Sequence, residues 1–398
     1  MRIAIVHPYP AKAGLEPTGS AIIYRDRVLG TLLEGFGHSV RGLRTTEGVG
    51  GVVVSPDTYL DWTYYPLDQG GQALPRSRVT SRALTEDLAV WSPDFLVIKG
   101  VGTAIGVELA HRFDAPMATI IGGGYADGVL ARSEVVMTET PEQDRFLRPR
   151  IGADRVLRLP KLVNPIFLAD PSKSAPDFDV AVVSKFERHK NHQALKPLLD
   201  HDLSIVFVGD GSLRQDFERY ARTRQASVVF TGYVPAEDVA GILKRSRLLV
   251  HPSRFEGFPR AVVEAMASGT PAVCLDGVVG WPLVDGQNSL LVTESELTHS
   301  IMGVLGDPQL LTKLRQGALQ TFHQEFSISS LTKTVDTLNQ KILEAVARFT
   351  GHESWHRRVA AIRYAVIDSP RATYMGLRRL AKKVLRSSNG GSGDARRA

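Results

Sequence analysis

The sequence predicts an α/β protein of two domains, each a doubly wound parallel sheet. Three observations carry that prediction. Short apolar strand patterns alternate with helical ones along most of the chain, which is how parallel sheets are built. The alternation restarts after the polar, Pro-rich stretch Ala169–Pro176. A length of 398 residues exceeds what one core usually holds.

The elements follow in order. Residues 2–6 read as a buried strand, a loop runs from Pro8 to Ser20, and a helix spans Ala21–Phe36. A second strand begins at His38–Val40. Strand Phe95–Ile98, helix Ala104–Arg112, strand Met117–Ile121, strand Val135–Thr138 and helix Pro141–Leu147 complete the first half. The second half opens with strand Val180–Val183 and a helix over Asn191–Leu199. Strand Ile205–Val208 leads to a helix that Ser212 caps, with Gln215 completing a capping box. Strand Val228–Phe230, helix Ala236–Arg245 and strand Leu248–Val250 come next. Strand Leu290–Val292 is followed by helices Leu297–Val304, Pro308–Phe322 and Ile328–Phe349. The implied domains are 1–170 and 171–345, with a tail over 346–398.

Composition narrows the class. Apolar residues are 43% and charged residues 23%, as in a water-soluble globular chain. A single cysteine, Cys274, sits in an apolar strand pattern, so it reads as a buried structural thiol that excludes an intrachain disulfide. The first residues form a strand, not a signal peptide, and no apolar run reaches the ~20 residues of a spanning helix. The expected compartment is the cytoplasm or the inner face of a membrane. From Gly351 onward eleven Lys and Arg face three acids; the net charge of +6 therefore belongs to the tail, and the body is close to neutral. Within the tail, Arg371–Arg386 sets Tyr374, Leu377, Leu380, Ala381 and Val384 on one side and six cations on the other. Such a basic amphipathic helix suits an anionic lipid surface, nucleic acid, or packing on the body with its charges solvated.

The most informative stretch is Arg254–Val273. Glu256 and Glu264 stand eight positions apart. Gly257 permits a positive φ, Pro259 suits the first helical position, Gly269 ends the helix and Pro271 prevents its continuation. Glu256 is therefore expected in the loop before a short helix and Glu264 on that helix's second turn. Free N–H groups at the positive end of the helix dipole lie between them, able to hold an anion while both carboxylates take hydroxyl hydrogen bonds. A phosphate-linked sugar meets both demands.

These residues resemble the E-x7-E signature of retaining glycosyltransferases of family 4, which have the GT-B fold of two Rossmann-like domains facing across a cleft. The resemblance is sharp over about 180–292 and diffuse over 1–165. It implies that Glu256 binds hydroxyls of the donor sugar and Glu264 the ribose, with the backbone N–H groups of Gly257 and Phe258 facing the donor. Lys185 and Lys190 fall where the family's Arg and Lys grip the diphosphate. Lysine at 185 gives a point charge where arginine would give a fork, and Ser184 and Asn191 replace family glycines. Gly19, beside Ser20, is the candidate for the glycine turn that approaches the phosphate. The family's histidine after strand Met117–Ile121 is absent, and Gly122-Gly123-Gly124-Tyr125 stands there. Tyr125, Asp127 and His7 are the candidates on the acceptor side; for Asp127 a surface turn and for His7 a structural role are readings of comparable weight. Pro282 and Asp285–Asn288 fit a later family block and suggest a turn and hairpin.

The implied activity moves a sugar from a nucleotide-diphosphate donor to a hydroxyl acceptor such as a glycolipid or polysaccharide precursor. No metal or cofactor is called for. The rivals are a transferase acting on modified DNA or protein, a GT-B epimerase, and a silent sugar-nucleotide-binding protein. Paired acids also occur in glycosidases, but the nucleotide-binding context argues against that.

Overall fold

In this computed structural model the described residues run from 1 to 349, apart from 12–22, 48–50, 57, 71–74, 76–77, 101, 122–127, 160, 170–175, 257 and 279. The chain divides into two compact units. One holds Asp26–Leu159 with the first strand and the last helix from Thr332 on; the other runs from just past Leu159 to Leu331.

The first unit comprises β1 (Arg2–Ala11), α1 (Tyr24–Glu34), β2 (Ser39–Thr46), β3 (Val53–Ser55), β4 (Trp62–Pro66), α2 (Arg82–Trp91) and β5 (Phe95–Lys99). It continues with α3 (Ala104–Arg112), β6 (Met117–Ile120), α4 (Gly128–Arg132), β7 (Val135–Thr138), α5 (Pro141–Ile151) and β8 (Val156–Arg158). Its sheet has the order β3-β4-β2-β1-β5-β6-β7-β8, parallel except for the β3–β4 pair. β3, β4, α2 and β8 carry weak sequence signals. In β4, Trp62, Tyr64 and Tyr65 are all buried, but adjacent buried tyrosines break the alternation of a half-buried strand and Pro66 follows them. α2 and α3 begin where Ser81 and Thr103 accept hydrogen bonds from Leu84 and Gly106, and α5 opens with a Thr140/Gln143 capping box.

The second unit contains β9 (Phe178–Val183), β10 (Ser204–Val208), α6 (Arg214–Ala221), β11 (Ser227–Gly232), α7 (Ala236–Lys244), β12 (Ser246–His251) and α8 (Arg260–Ala267). β13 (Ala272–Leu275), β14 (Ser289–Val292), α9 (Leu297–Gly306), α10 (Pro308–Glu325) and the start of α11 (Ile328–Arg348) complete it. The strand order is β11-β10-β9-β12-β13-β14, all parallel. Both faces are covered. Val180, Val182, Ile205, Phe207, Leu248 and Val250 face one core, while Ala181, Val206, Leu249, Ala272 and Cys274 face the other. Burial on both sides is why these strands read as unbroken apolar runs.

Several expectations are corrected. The helix over Asn191–Leu199 is instead two 3-10 turns, His192–Leu195 and Pro197–Asp200, because Asn191 takes φ 56° and Pro197 offers no N–H. Ser212 does not cap α6. The helix starts after Leu213, whose N–H bonds to the Phe186 carbonyl, so a neighbouring loop sets the start. Pro259 is the N-cap of α8, with Val262 and Val263 bonding to its carbonyl, so it lies one position before the first helical residue. Asp285–Asn288 form a turn but no hairpin, since β14 runs parallel to β13. The Asn288 side chain holds that turn by accepting from Val284 N–H and donating to the Pro282 carbonyl. The last helix runs on from the second unit, and its later part belongs to the first. There Asn339 bonds to His38 at 2.7 Å and Lys341 donates to the Asp154 carbonyl. The sequence-derived bounds, 171–345 and 346–398, place this helix in the second domain up to residue 345.

Candidate active site

In the second sheet, chain order reverses on either side of β9: β10 lies on one flank and β12 on the other. Ligands of doubly wound sheets bind at the carboxyl ends of the strands beside such a switch. The loops leaving β9 and β12 meet there. Glu256, in the loop after β12, is buried, and its Oε1 accepts from Lys190 Nζ at 2.5 Å and from His251 Nε2 at 2.7 Å. Burial alone would raise the Glu256 pKa. The hydrogen bond and charge of His251, then those of Lys190, outweigh it and hold the carboxyl near 2, so Glu256 is an anion.

A second set of contacts fastens the two loops. Asn191 in its left-handed conformation donates to Glu294 at 3.1 Å, and Arg254 grips the same carboxylate through Nε and Nη2 at 3.1 and 2.7 Å. Arg254 N–H and the Ser253 hydroxyl both bond to the His189 carbonyl. Asparagine is one of the few residues that tolerates such a left-handed φ. On the other side of β9, Ser184 and Phe186 N–H bond to the carbonyls of Val208 and Asp210. A Cβ on Gly209 would meet the Ser184 carbonyl oxygen at 2.2 Å, so this close approach requires glycine.

The remaining candidates of this unit divide into partnered and unpartnered groups. Lys185 is exposed, and its ammonium has no partner among the described residues. Glu264 lies on the second turn of α8, partly buried, and its carboxylate accepts no hydrogen bond among the described residues. Burial raises its pKa to about 7 against the opposing charge of Arg260. Phe258 packs against Trp281 and Phe326 with ring centroids 6.3 and 6.0 Å away, and the Lys161 ammonium sits 4.2 Å from its ring centre. Its N–H makes no bond among the described residues. Cys274 is buried and its pKa is pushed up by burial and the nearby Glu256 charge, as befits an inert thiol.

In the first unit, β1 runs past the expected end at residue 6, so His7 lies buried inside the strand, its Nδ1 3.2 Å from the Tyr9 carbonyl. Burial, then Lys99 and Arg44, keep its pKa well below the usual value, so it is neutral. Gly19, Ser20, Tyr125, Asp127, Gly257 and the Arg371–Arg386 segment lie outside the described residues.

The sequence reading missed His251, Ser184, His192, Arg254 and Glu294. His251 had one available signal: it is the last residue of a strand, five positions before Glu256. Arg254 and Glu294 depend on which loops adjoin, and Ser184 and His192 on how the loop after β9 folds back.

The fold is the GT-B architecture of two Rossmann-like α/β units. Residues 179–307 match the family described as glycosyl transferases group 1. The 2-deoxystreptamine glucosyltransferase of Streptomyces kanamyceticus is 35% identical over 137 residues, 31% of this chain and 35% of that protein. The chain spans between about a third and two fifths of the length of the first curated relatives it matches. Solved structures match far more of it. Sucrose-phosphate synthase from Thermosynechococcus elongatus has a TM-score of 0.68 at 18% identity, covering 86% of this chain and 99% of that one. Anabaena HepE in complex with UDP and glucose has a TM-score of 0.60 at 16% identity, covering 85% of this chain and 100% of that one. At such identities the likeness concerns the fold.

Proposed function

We propose that this chain is a retaining glycosyltransferase that moves a sugar from a nucleoside diphosphate to a hydroxyl acceptor. The observation that carries the reading is the Lys190–Glu256–His251 cluster at the switch point, which sets a fixed anion and a cation side by side where a sugar diphosphate would lie. The group 1 glycosyltransferase match over the same residues supports it.

In this reading the bond from the sugar's anomeric carbon to the diphosphate oxygen breaks, and the bond to the acceptor oxygen forms on the same face. The departing phosphate takes the acceptor's proton, so no protein nucleophile is needed. Charge builds on the diphosphate as it leaves. Lys190 and the unpartnered Lys185 meet that charge, an interaction stronger in the transition state than in the bound donor. Glu256, held anionic, accepts from hydroxyls of the sugar. Glu264 accepts from the ribose, a role suited to a carboxylate whose hydrogen-bonding capacity is otherwise unused.

The acceptor of this reading is a hydroxyl compound at a membrane surface, reached through the basic Arg371–Arg386 segment on the cytoplasmic side. No helix among the described residues is long and apolar enough to cross a membrane. The test incubates the chain with UDP-, GDP- and ADP-sugars and measures nucleoside diphosphate release. One donor class should be consumed, with the rate lost in Lys190→Ala; no release from any donor would count against transfer. Flotation of the full chain with anionic but not neutral vesicles tests the tail.

A further inference from the structure

Beside the Lys190–Glu256–His251 cluster lies a second polar pair that the reading above leaves unused. Ser184 is the first residue past the carboxyl end of β9 and precedes Lys185. Ser184 is partly exposed, and its hydroxyl has one partner among the described residues, His192 Nε2 at 3.1 Å. His192 is buried, stacked on Phe186 with ring centroids 4.0 Å apart and planes at 11°. Phe217 and Phe207 pack around it at 5.9 and 6.5 Å. Its Nδ1 is buried without a hydrogen-bond partner.

That last fact selects the tautomer. If Ser184 donated to Nε2, the ring hydrogen would sit on Nδ1, and a buried N–H would be stranded among phenylalanines. If Nε2–H donates to Ser184 Oγ, Nδ1 is a bare lone pair. Orphaned buried N–H groups are the rarer and costlier defect. Burial, then the neighbouring His251 and Lys190, also push the ring's pKa down to about 4, so at neutral pH it carries one hydrogen. With Nε2–H donating, the Ser184 oxygen is an acceptor and its own hydrogen is left to donate elsewhere.

We propose that Ser184 is a third donor to the anionic group served by Lys185 and Lys190, its hydroxyl aimed by the buried His192. The ligand chemistry is a diphosphate oxygen. Ser184 is the binding residue and His192 a positioning residue. The inference rests on the donor-site reading above, and the test separates the two.

Calorimetric titration with UDP, GDP, ADP and inorganic pyrophosphate is run on wild type and variants whose melting temperatures match it. Ser184→Ala should weaken diphosphate binding about tenfold, the scale of one hydrogen bond to a charged oxygen. Ser184→Thr keeps the hydroxyl and should restore most of the affinity. His192→Phe keeps the stack and removes the ring N–H. It should weaken binding several-fold when Ser184 is present and not at all in a Ser184→Ala background, a coupling that a merely structural histidine would not produce. If Ser184→Ala binds like wild type while Lys190→Ala is weakened, the Ser184 assignment falls and the donor site stands. An equal His192→Phe effect in both backgrounds removes its positioning role. If wild type binds none of the four probes, both readings fall. Should His192→Phe fail to fold, the Ser184 variants still decide the central point.

Discussion

The two sheets share a topology but differ in what stands at their switch points. In the first unit the reversal falls between β1 and β5. There Lys99 is bound to a wholly buried Asp26 at 2.6 Å, and His7 is held neutral against Tyr9. The Tyr9 ring fills the space beside Gly100, where a Cβ would lie 2.3 Å from its hydroxyl. In the second unit the reversal falls between β9 and β12, and the groups there are only partly matched. Glu256 is held by two donors, while Lys185, Glu264 and the Phe258 N–H have no partner among the described residues. Both switch points are built from charge. In the second, hydrogen-bonding capacity is left over, and leftover capacity is what a polar ligand can use.

The comparison can be broken most sharply at Lys190. Lys190→Ala should lower turnover by about 100-fold or more, the scale for removing a charge-stabilising group from a transition state, with a smaller change in donor affinity. Steady-state kinetics with the consumed donor checks this, and an unchanged rate would remove Lys190 from the chemistry. Next in size is Glu264→Ala, which should weaken nucleotide binding by about tenfold, as loss of hydrogen bonds to a charged group does. Wild-type nucleotide affinity should itself decline as pH falls below about 7, where Glu264 takes up its proton and ceases to be a full acceptor. Titration across pH 5.5–8 reads both effects; affinity that is flat with pH in wild type would contradict the ribose role.

The same shifts predict how stability responds to pH. The folded-state pKa of His192 is lowered from 6.5 to about 4, so over that window the unfolded chain binds the extra proton and stability falls as pH drops. Glu264 opposes this. Its pKa is raised from 4.5 to about 7, so the folded chain binds the proton first and stability rises as pH drops between those values. Relative to wild type, Glu264→Gln should lose melting temperature more steeply between pH 7 and 5, and His192→Phe less steeply. Parallel curves for all three would show that neither group is shifted. The smallest effect is expected at the clasp of Arg254, Glu294 and Asn191. Its Arg254–Glu294 pair is exposed, and pairs of this kind contribute about 0–1 kcal/mol. Arg254→Ala should lower turnover only a few-fold, and adding salt to wild type should mimic part of the loss.

Much of the second unit was legible because its signals are local. Gly269 takes φ 66° at the end of α8, where the sequence placed a helix stop, and Glu264 falls on the turn that the spacing implied. Glu256 and Lys190 were legible as residue types in a motif. Their mutual contact was not, since it spans 66 positions and depends on β12 lying beside β9. His251, Ser184 and His192 were hidden for a different reason: their partners lie only five to eight positions away, and the path of one loop, which no periodicity encodes, brings them together. Each is an ordinary strand-end or loop residue until its own loop folds back on it. In the first unit, Trp62–Pro66 is masked because a terminal proline and two adjacent buried tyrosines break the alternation that marks a strand. The helix Ile328–Arg348 was legible as a helix, but nothing in its periodicity says that it serves two units.

The central claim is that the β9/β12 switch point binds a nucleoside diphosphate through its cations. The most direct measurement is calorimetric titration of UDP, GDP and ADP into wild type and Lys190→Ala under matched salt. The account predicts saturable one-site binding of at least one of them, weakened in the variant. Equal affinities in the two proteins, or no heat from any of the three with wild type, would contradict it.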